Sequence, residues 1–298
     1  MKTEIFGFLV ILSLIVVIPM ADAQISIGQK AIQKSIEVTI NSEGEVHVKH
    51  IVRSSGLPTD LELIYGTVSN VSVTNEEGDE LLFSITGDDR MVLVQPSNDD
   101  SIIEYDLEHV LIQTNGVWTW SFRYLETTSF YFPNEANLIF VNERPVYLDE
   151  NKGILCHGCQ MVLEFSINEP KNFKNITWED KEFVVEIITH SNIDNFVFDQ
   201  PTRSISFDVS NENQFVTTII PLELLWNPYI VLLDDKKILF HQYINNGTHI
   251  WLSLKPDTSG AITIIGTTVI PEFPIIAPLA VGFLMILVVP LMRKFNLR

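Results

Sequence analysis

The sequence predicts an all-β protein with a single hydrophobic helix near its C-terminus, and three observations support this prediction. Apolar and polar residues alternate with a period of two over most of the chain, as at Ile36, Val38 and Ile40. Polar turns recur roughly every 8–12 residues, which is typical of β-sandwiches. An uninterrupted apolar run extends from Ile275 to Met292. We therefore expect two β-sandwich modules of immunoglobulin-like type, followed by one transmembrane helix.

A signal peptide is predicted over residues 1–23. Lys2 precedes an apolar run from Ile5 to Met20, and two small residues, the second being Ala23, provide an A-x-A cleavage site. Cleavage at this site gives a mature chain that begins at Gln24. An acidic residue close to the N-terminus leaves an uncleaved N-terminal anchor as the alternative.

The transmembrane helix is predicted over residues 275–292. As a helix this segment is about 27 Å long, at roughly 1.5 Å per residue, and nearly matches the ~30 Å hydrocarbon core of a bilayer. The tail at 293–298 contains Arg293, Lys294 and Arg298. Because basic residues flanking a membrane helix favour the cytoplasmic side, we expect a single-pass protein in the cell membrane, with an external N-terminal ectodomain and a cytoplasmic C-terminus.

Two turns predict β-hairpins with particular clarity. Residues 41–44 read Asn-Ser-Glu-Gly and separate two alternating runs. Asn115 and Gly116 also lie between two such runs, and this pair accepts the positive φ angles that a two-residue hairpin requires. The only plausible helical turn in the ectodomain, at residues 221–226, is too short to change the fold class.

The ectodomain is long enough for two domains. We predict an N-terminal β-rich domain over residues 24–168 and a C-terminal immunoglobulin-like β-sandwich over 169–268, with a short linker and sorting motif over 269–274. The boundary is placed in the polar, proline-containing stretch Asn168–Asn172. Strands of the C-terminal sandwich are predicted over 183–188, 196–198, 205–209, 215–220, 229–233, 238–243, 249–254 and 261–265.

The charge of the chain excludes some classes of partner. The whole sequence has a formal net charge of −19. Residues 24–270 carry about −20, which disfavours nucleic acid and anionic lipid surfaces as ligands. We expect no nucleic-acid partner.

The only two cysteines form the motif Cys156-His157-Gly158-Cys159. Outside the cytosol this spacing favours a local disulfide in a tight turn. A metal site that uses Cys156, His157 and Cys159 is one alternative. A thiol-redox site is another, although such a site requires a helix after the motif, and the residues that follow Cys159 read as a strand.

Three Asn-x-Ser/Thr sequons predict N-glycosylation at Asn70, Asn175 and Asn246. Asn175 is expected in the linker between the domains and Asn246 at a hairpin tip, where a glycan would not disturb a core. Asn70 is expected within or near a strand.

The chain contains none of the common catalytic, phosphate-binding or dinucleotide-binding motifs, so we expect neither an enzyme nor a cofactor. An aromatic stripe, Trp118, Trp120, Phe122 and Tyr124, lies on one face of a predicted strand. Such a stripe could stack on sugars, but it is more typical of a sandwich core.

The C-terminal part resembles a known family. Residues 264–274 end in Pro271, Glu272, Phe273 and Pro274, and they are followed by the apolar run and the basic tail. This arrangement resembles the PEFG-CTERM/PEF-CTERM sorting-signal proteins of ammonia-oxidising archaea. Residues 199–209 and 231–235 also resemble the β-domain that these proteins often carry, so the resemblance covers about 180–298.

The resemblance implies an exported cell-surface protein that an archaeosortase-like enzyme processes near the motif. The fourth motif position is Pro274, where the PEFG form has glycine, so we expect the chain to be retained as an ordinary single-pass anchor. The expected function is a structural or adhesive role in the envelope, with other envelope proteins or glycans as partners and without catalysis. The alternative is an extracytoplasmic metal-binding or thiol-redox accessory protein.

Overall fold

The computed structural model describes residues 28–267 except Asp149, Asn151 and Glu179. Within these residues the chain is all β, as predicted, and the strands form five sheets. In chain order the strands are β1 (Gln29–Lys30), β2 (Gln33–Ile40), β3 (Val46–Val52), β4 (Thr59–Glu62), β5 (Thr67–Asn75), β6 (Phe83–Thr86), β7 (Met91–Val94), β8 (Ser101–Glu108), β9 (Ile112–Thr114), β10 (Val117–Tyr124), β11 (Thr128–Tyr131), β12 (Leu138–Val141), β13 (Arg144–Tyr147), β14 (Gly153–Cys156), β15 (Cys159–Ser166), β16 (Lys171–Trp178), β17 (Lys181–Ile188), β18 (Ile193–Asp199), β19 (Ser204–Val209), β20 (Val216–Pro221), β21 (Trp226–Leu233), β22 (Lys236–Lys237), β23 (Phe240–Asn245), β24 (His249–Leu254) and β25 (Gly260–Thr267).

The predictions for the two ends of the chain fall outside the described residues. They are the signal peptide over 1–23 with its cleavage site, the linker and sorting motif over 269–274, the transmembrane helix over 275–292 and the tail over 293–298. A membrane-spanning helix is not found among the described residues.

Both predicted hairpins are present. Strands β2 and β3 flank the turn at residues 41–44, in which Gly44 has a φ of +81° and lies against the ring of Trp118. Strands β9 and β10 flank Asn115 and Gly116, whose φ angles are 52° and 83°. Two successive residues with positive φ identify the second hairpin as the type I′ form that an Asn-Gly pair favours.

The described residues divide into two compact units, and residues 28–36 and 48–106 form the first. One of its sheets has the strand order β1–β4–β7–β6, and β3, β8 and β5 lie side by side in another. Its buried side chains alternate along these strands, as the period-two pattern requires. They include Val48, Leu61, Val92, Ile103 and Tyr105.

A buried histidine links three strands of the first unit. The Nδ1 atom of His50 on β3 lies 2.6 Å from Oε1 of Gln33 on β2, and its Nε2 atom lies 2.9 Å from the hydroxyl of Tyr105 on β8. Burial lowers the pKa of His50 to about 3. The imidazole is therefore neutral at neutral pH, with Nδ1–H donating to Gln33 and Nε2 accepting from the Tyr105 hydroxyl. That hydroxyl in turn accepts a hydrogen bond from the N–H of Ile64.

Residues 37–47 and 107–267 form the second unit, which contains the predicted domain boundary at residue 168. One of its sheets has the order β13–β12–β15–β10–β9. The aromatic stripe of β10 points inward from this sheet, and Trp120 and Phe122 pack edge-on against Phe130 of β11, with ring centroids 6.0 and 4.8 Å apart. The interpretation of the stripe as core is therefore confirmed for Trp120, Phe122 and Tyr124, which are buried, while Trp118 is half-buried and stacks on Phe165.

The C-terminal part of the second unit consists of two five-stranded sheets around one core. Their strand orders are β16–β17–β20–β24–β23 and β18–β19–β25–β21–β22. All eight strands predicted for this region are present. Both sheets contribute side chains to the same buried cluster, including Val185, Ile187 and Leu252 from the first sheet and Phe207, Val231 and Ile264 from the second.

Strand β16 lies where the sequence predicts a linker. The strand begins at Lys171, inside the predicted linker Asn168–Asn172, and Asn175, which is expected in that linker, lies near the middle of the strand. Only Ile176 of this strand is fully buried, while Phe173 on the other face is 60% exposed. The inward-facing pattern is therefore too short to stand out from the polar residues around it.

The C-terminal sheets cover half of the outer face of the β10–β12–β15 sheet, which is the face opposite to the aromatic stripe. The ring of Phe140 on β12 stacks on the ring of Phe215, with centroids 4.0 Å apart and planes at 2°. Lys255 Nζ lies 2.5 Å from Oε1 of Glu164 on β15 and 5.6 Å from the centroid of Phe215. Val117 of β10 joins this buried cluster.

The β9–β10 hairpin makes a second contact with the C-terminal sheets. The Nε2 atom of Gln214 donates a hydrogen bond of 2.6 Å to the carbonyl oxygen of Asn115. A Cβ atom at Gly116 would lie only 3.0 Å from the ring of His190. The turn residues that make this hairpin possible therefore also allow its close approach to residues 190 and 214.

Candidate functional site

The Cys156-His157-Gly158-Cys159 motif lies at a corner where the chain passes from one sheet to another. Cys156 ends β14 and is paired with Thr128 on β11, whereas Cys159 begins β15 and is paired with Tyr124 on β10. The two cysteines form a disulfide, with Cα atoms 5.9 Å apart. The bond therefore joins the ends of two strands that belong to different sheets.

The two residues between the cysteines fit the corner tightly. Gly158 has a φ of +56°, and a Cβ atom at this position would lie 2.5 Å from the carbonyl oxygen of Leu125. The Nδ1 atom of His157 lies 3.2 Å from the hydroxyl oxygen of Thr127. The corner between β10 and β11 and the corner between β14 and β15 are thus packed against each other.

The alternative metal site at Cys156, His157 and Cys159 requires thiolates, because a thiolate is the form of cysteine that binds metals. In this structure both sulfur atoms belong to the disulfide. Within the described ranges, no group of three or more histidine, cysteine, aspartate or glutamate side chains is arranged to hold a metal ion. The motif therefore contributes a covalent link in this structure.

An open groove of about 370 Å³ lies on the uncovered half of the outer face. Strands β10 and β15 and the β12–β13 turn form it. Register places Ser121 opposite Val162 and Arg123 opposite Gln160. We call this feature the outer-face groove; its outward-facing residues are Ser121, Arg123, Asn142, Gln160 and Val162.

The side chain of Asn142 has a defined orientation in the groove. Its Oδ1 atom accepts a hydrogen bond of 2.8 Å from the backbone N–H of Val162. The backbone N–H of Asn142 donates a hydrogen bond of 2.9 Å to the carbonyl oxygen of Val162. Asn142 and Glu143 both have positive φ, so they form the two-residue turn between β12 and β13. Asn142 lines the groove, and because its Oδ1 atom is bonded to Val162, the other polar atom of its side chain is Nδ2, which carries two donors.

The groove is rich in hydrogen-bond donors. Arg123 carries a planar guanidinium with five N–H groups, Gln160 and Ser121 add an amide and a hydroxyl, and Val162 is an apolar patch that is 40% exposed. All except Asn142 lie on paired strands, and the disulfide anchors β15 immediately before Gln160. The arrangement suits a ligand with many acceptor oxygens and a small apolar surface.

A cluster of titratable groups lies where β15 leads into β16. Burial raises the pKa of Glu169 to about 8. Burial also raises the pKa of Tyr243, and the nearby Glu169 and Tyr147 add to this effect, while a hydrogen bond with Thr217 opposes it. Glu169 is therefore a protonated, neutral carboxyl group at neutral pH.

The three sequons are all on the surface but differ in their contacts. Asn70 lies within β5, as expected, with a φ of 54°, and its Nδ2 donates to Asp106 at 2.8 Å. Asn246 lies at the tip of the β23–β24 hairpin, as expected, and its Oδ1 accepts hydrogen bonds from the N–H groups of Thr248 and His249. Asn175 is exposed on strand β16.

Sequence reasoning did not identify the groove residues or Glu169. One signal was available, because Ser121 and Arg123 alternate with the aromatic stripe and therefore lie on the face opposite to the core. Alternation does not reveal which strand pairs with β10. The sequence therefore could not show that Gln160 and Asn142 lie beside Ser121 and Arg123. Nothing in the polar stretch around Glu169 indicates burial.

No protein-family model matches the chain, and no curated protein matches it. Four solved chains match it structurally. One of them is an aminopeptidase N family protein from Idiomarina loihiensis, with 7% identity and a TM-score of 0.34 over 50% of this chain and 32% of that protein. The match thus spans about a third of the aminopeptidase and supports no shared fold or activity.

We predict that replacing Cys156 and Cys159 together by serine lowers the free energy of unfolding by about 1–2 kcal/mol and leaves export intact. The reason is that so short a loop constrains the unfolded chain little. Urea unfolding of the purified double variant measures the first effect, and fractionation of cells measures the second. A double variant with unchanged stability and export that loses a bound metal or an electron-transfer activity would contradict the structural role.

We predict that Glu169→Gln stabilises the protein at pH 9 but not at pH 5. The folded pKa of about 8 lies above the ordinary value of 4.5, so only the unfolded chain releases this proton as pH rises between the two values. The contribution of Glu169 to the free energy of unfolding is complete below pH 4.5 and is lost as pH rises through 8. Glutamine does not ionise, so the Glu169→Gln variant does not show this loss. Urea midpoints at pH 5 and 9 test this, with the exposed Glu212→Gln as control. Identical pH dependence of wild type and Glu169→Gln would disprove the assignment.

Proposed function

We propose that this chain is an exported, membrane-anchored envelope protein that binds saccharides through the outer-face groove, without catalysis. In this proposal residues 24–168 form a β-rich module and residues 169–268 an immunoglobulin-like module, both outside the cell. The binding role is supported by the groove itself. In it, hydrogen-bond donors are presented from paired strands and the adjoining turn by Arg123, Gln160, Ser121 and Asn142.

Export and anchoring rest on the two ends of the sequence. A signal peptide over 1–23, a membrane-length apolar run over 275–292 and a basic tail over 293–298 together predict a single-pass protein with its ectodomain outside. The motif at 271–274 supports an encounter with an archaeosortase-like processing enzyme. Other envelope proteins and glycans are then the molecules that the ectodomain meets.

A saccharide fits the groove better than other ligands. Sugar hydroxyl and carboxylate oxygens accept hydrogen bonds from guanidinium and amide donors, and the C–H face of a sugar ring can lie on Val162. The groove is open to solvent, so part of a longer chain can lie in it. Arg123 further favours saccharides that carry carboxylates, since a guanidinium binds a carboxylate through two parallel hydrogen bonds.

The aromatic stripe does not take part in this binding. Trp120, Phe122 and Tyr124 are 3%, 1% and 7% exposed, so their rings do not offer a stacking surface. Sugar recognition by this sheet therefore depends on polar groups of the opposite face. This places the proposed binding site on the same strand as the stripe but on the alternate residues.

The topology of the proposal is tested by fractionation of native cells. The protein should be found in membranes, its ectodomain should be accessible to protease from outside, and N-terminal sequencing should begin at Gln24. The physical reason is that both ends carry membrane signals while the charged middle part does not. A soluble cytoplasmic pool of full-length protein would contradict the topology, and an intact Met1 would support the uncleaved anchor.

The groove is tested by titrating the purified protein with acidic oligosaccharides from the native envelope. We expect Arg123→Gln to weaken binding by about tenfold or more, because a charge-assisted hydrogen bond contributes roughly 1.5–3 kcal/mol. Arg203→Gln, the same substitution in the β18–β19 turn, is the matched control and should bind as wild type. Equal affinity of Arg123→Gln and wild type would remove the groove as the binding site.

A further inference from the structure

Strand β16 presents a sequon and an exposed aromatic ring on the same face. It is the edge strand of the β16–β17–β20–β24–β23 sheet. Phe173, Asn175 and Thr177 alternate with inward-facing residues and are all exposed. Because side chains two residues apart on a strand are about 6.6 Å apart on one face, the Phe173 ring adjoins the amide of Asn175.

The neighbouring strand extends this face with another apolar side chain. Val184 on β17 lies directly opposite Asn175 in the register and is 47% exposed. Phe173 is 60% exposed and lies on the diagonal from Val184, a spacing that aromatic side chains reach across. Asn175 is therefore flanked by two exposed apolar groups, one along its own strand and one across the sheet.

Asn175 differs from the other two sequon asparagines in its hydrogen bonding. The Nδ2 atom of Asn70 donates to Asp106, and the Oδ1 atom of Asn246 accepts from its own turn. The amide of Asn175 makes no such bond to any residue that the structure describes. Its side chain is exposed, with Phe173 and Val184 as apolar neighbours and the carboxylates of Glu182 and Glu186 on the diagonals of the same face.

We propose that Asn175 carries an N-linked glycan whose first sugar packs on Phe173 and Val184 and shields the β16 edge. The C–H face of a sugar ring is attracted to the negative face of an aromatic ring. This inference rests on the proposed export, because the oligosaccharide comes from a polyisoprenyl-phosphate donor outside the cytosol. In the transfer, the bond between sugar C1 and the phosphate oxygen breaks, C1 bonds to Nδ2, the amide loses a proton and the lipid phosphate leaves.

The glycan would also block association of a second chain with the exposed edge of β16. An exposed edge with unpaired N–H and C=O groups and apolar side chains is a template for pairing with another chain. Strand β16 has eight residues, and two apolar side chains are exposed there, Phe173 on the strand itself and Val184 on the adjacent β17. A bulky hydrophilic group at its midpoint prevents a second copy from aligning with it.

The first test is glycopeptide mass spectrometry on protein purified from native membranes, together with N-terminal sequencing of the same sample. We expect a glycan on Asn175 and a mature N-terminus at Gln24. An unmodified Asn175 overturns the inference. If the N-terminus is Gln24, the proposed export survives that result, whereas an unprocessed Met1 with a cytoplasmic location overturns export as well.

The second test is a double-mutant cycle on thermal unfolding, which separates glycan packing from the mere presence of a glycan. Removing the glycan by Asn175→Gln should lower Tm by about 2–4 °C, the shift that roughly 1 kcal/mol produces in a domain of this size. In the Phe173→Ala background the same substitution should leave Tm unchanged. Asn246→Gln is the control, and its effect should be the same in both backgrounds. If Asn175→Gln lowers Tm equally in the wild-type and Phe173→Ala backgrounds, the claim that the glycan packs on Phe173 is overturned.

Discussion

The stacking of Phe140 on Phe215 is the contact on which the arrangement of the second unit depends. It joins a strand of the β13–β12–β15–β10–β9 sheet to the C-terminal sheets, and Lys255 reinforces it by pairing with Glu164 and lying over the Phe215 ring. Removing a buried phenylalanine typically costs about 3–5 kcal/mol. The loss of Lys255 would leave the buried Glu164 carboxylate without its partner, which is strongly destabilising in general.

This contact also determines where the outer-face groove lies. The C-terminal sheets cover Val117, Phe140 and Glu164 on the outer face. The other half of that face, with Arg123 and Gln160, is therefore open to solvent. The disulfide fixes the start of β15 at the open end, while the stacked rings fix the same sheet at the covered end. The proposed saccharide site lies between two fixed ends, so it would need little reorganisation on binding, which favours affinity.

Much of the fold could be predicted from the sequence, because alternation and turn chemistry are local properties. The Asn115-Gly116 hairpin, eight of the ten strands of the C-terminal sheets and the inward aromatic stripe follow from nearest neighbours along the chain. Strand β16 could not be predicted, because it is an edge strand with one fully buried residue. The groove and the neutral Glu169 could not be predicted either, since both depend on which distant strands come together.

Hydrogen exchange of the Phe215→Ala variant tests the central contact most directly, because exchange reports local opening segment by segment. We expect faster exchange on both sides of the contact, in β12 as well as in β20, since each side loses its packing partner. Phe173→Ala, which removes an exposed ring elsewhere in the second unit, should leave β12 unchanged. Unchanged protection of β12 in Phe215→Ala, with faster exchange confined to the neighbourhood of residue 215, would contradict the claim that this contact holds the two parts together.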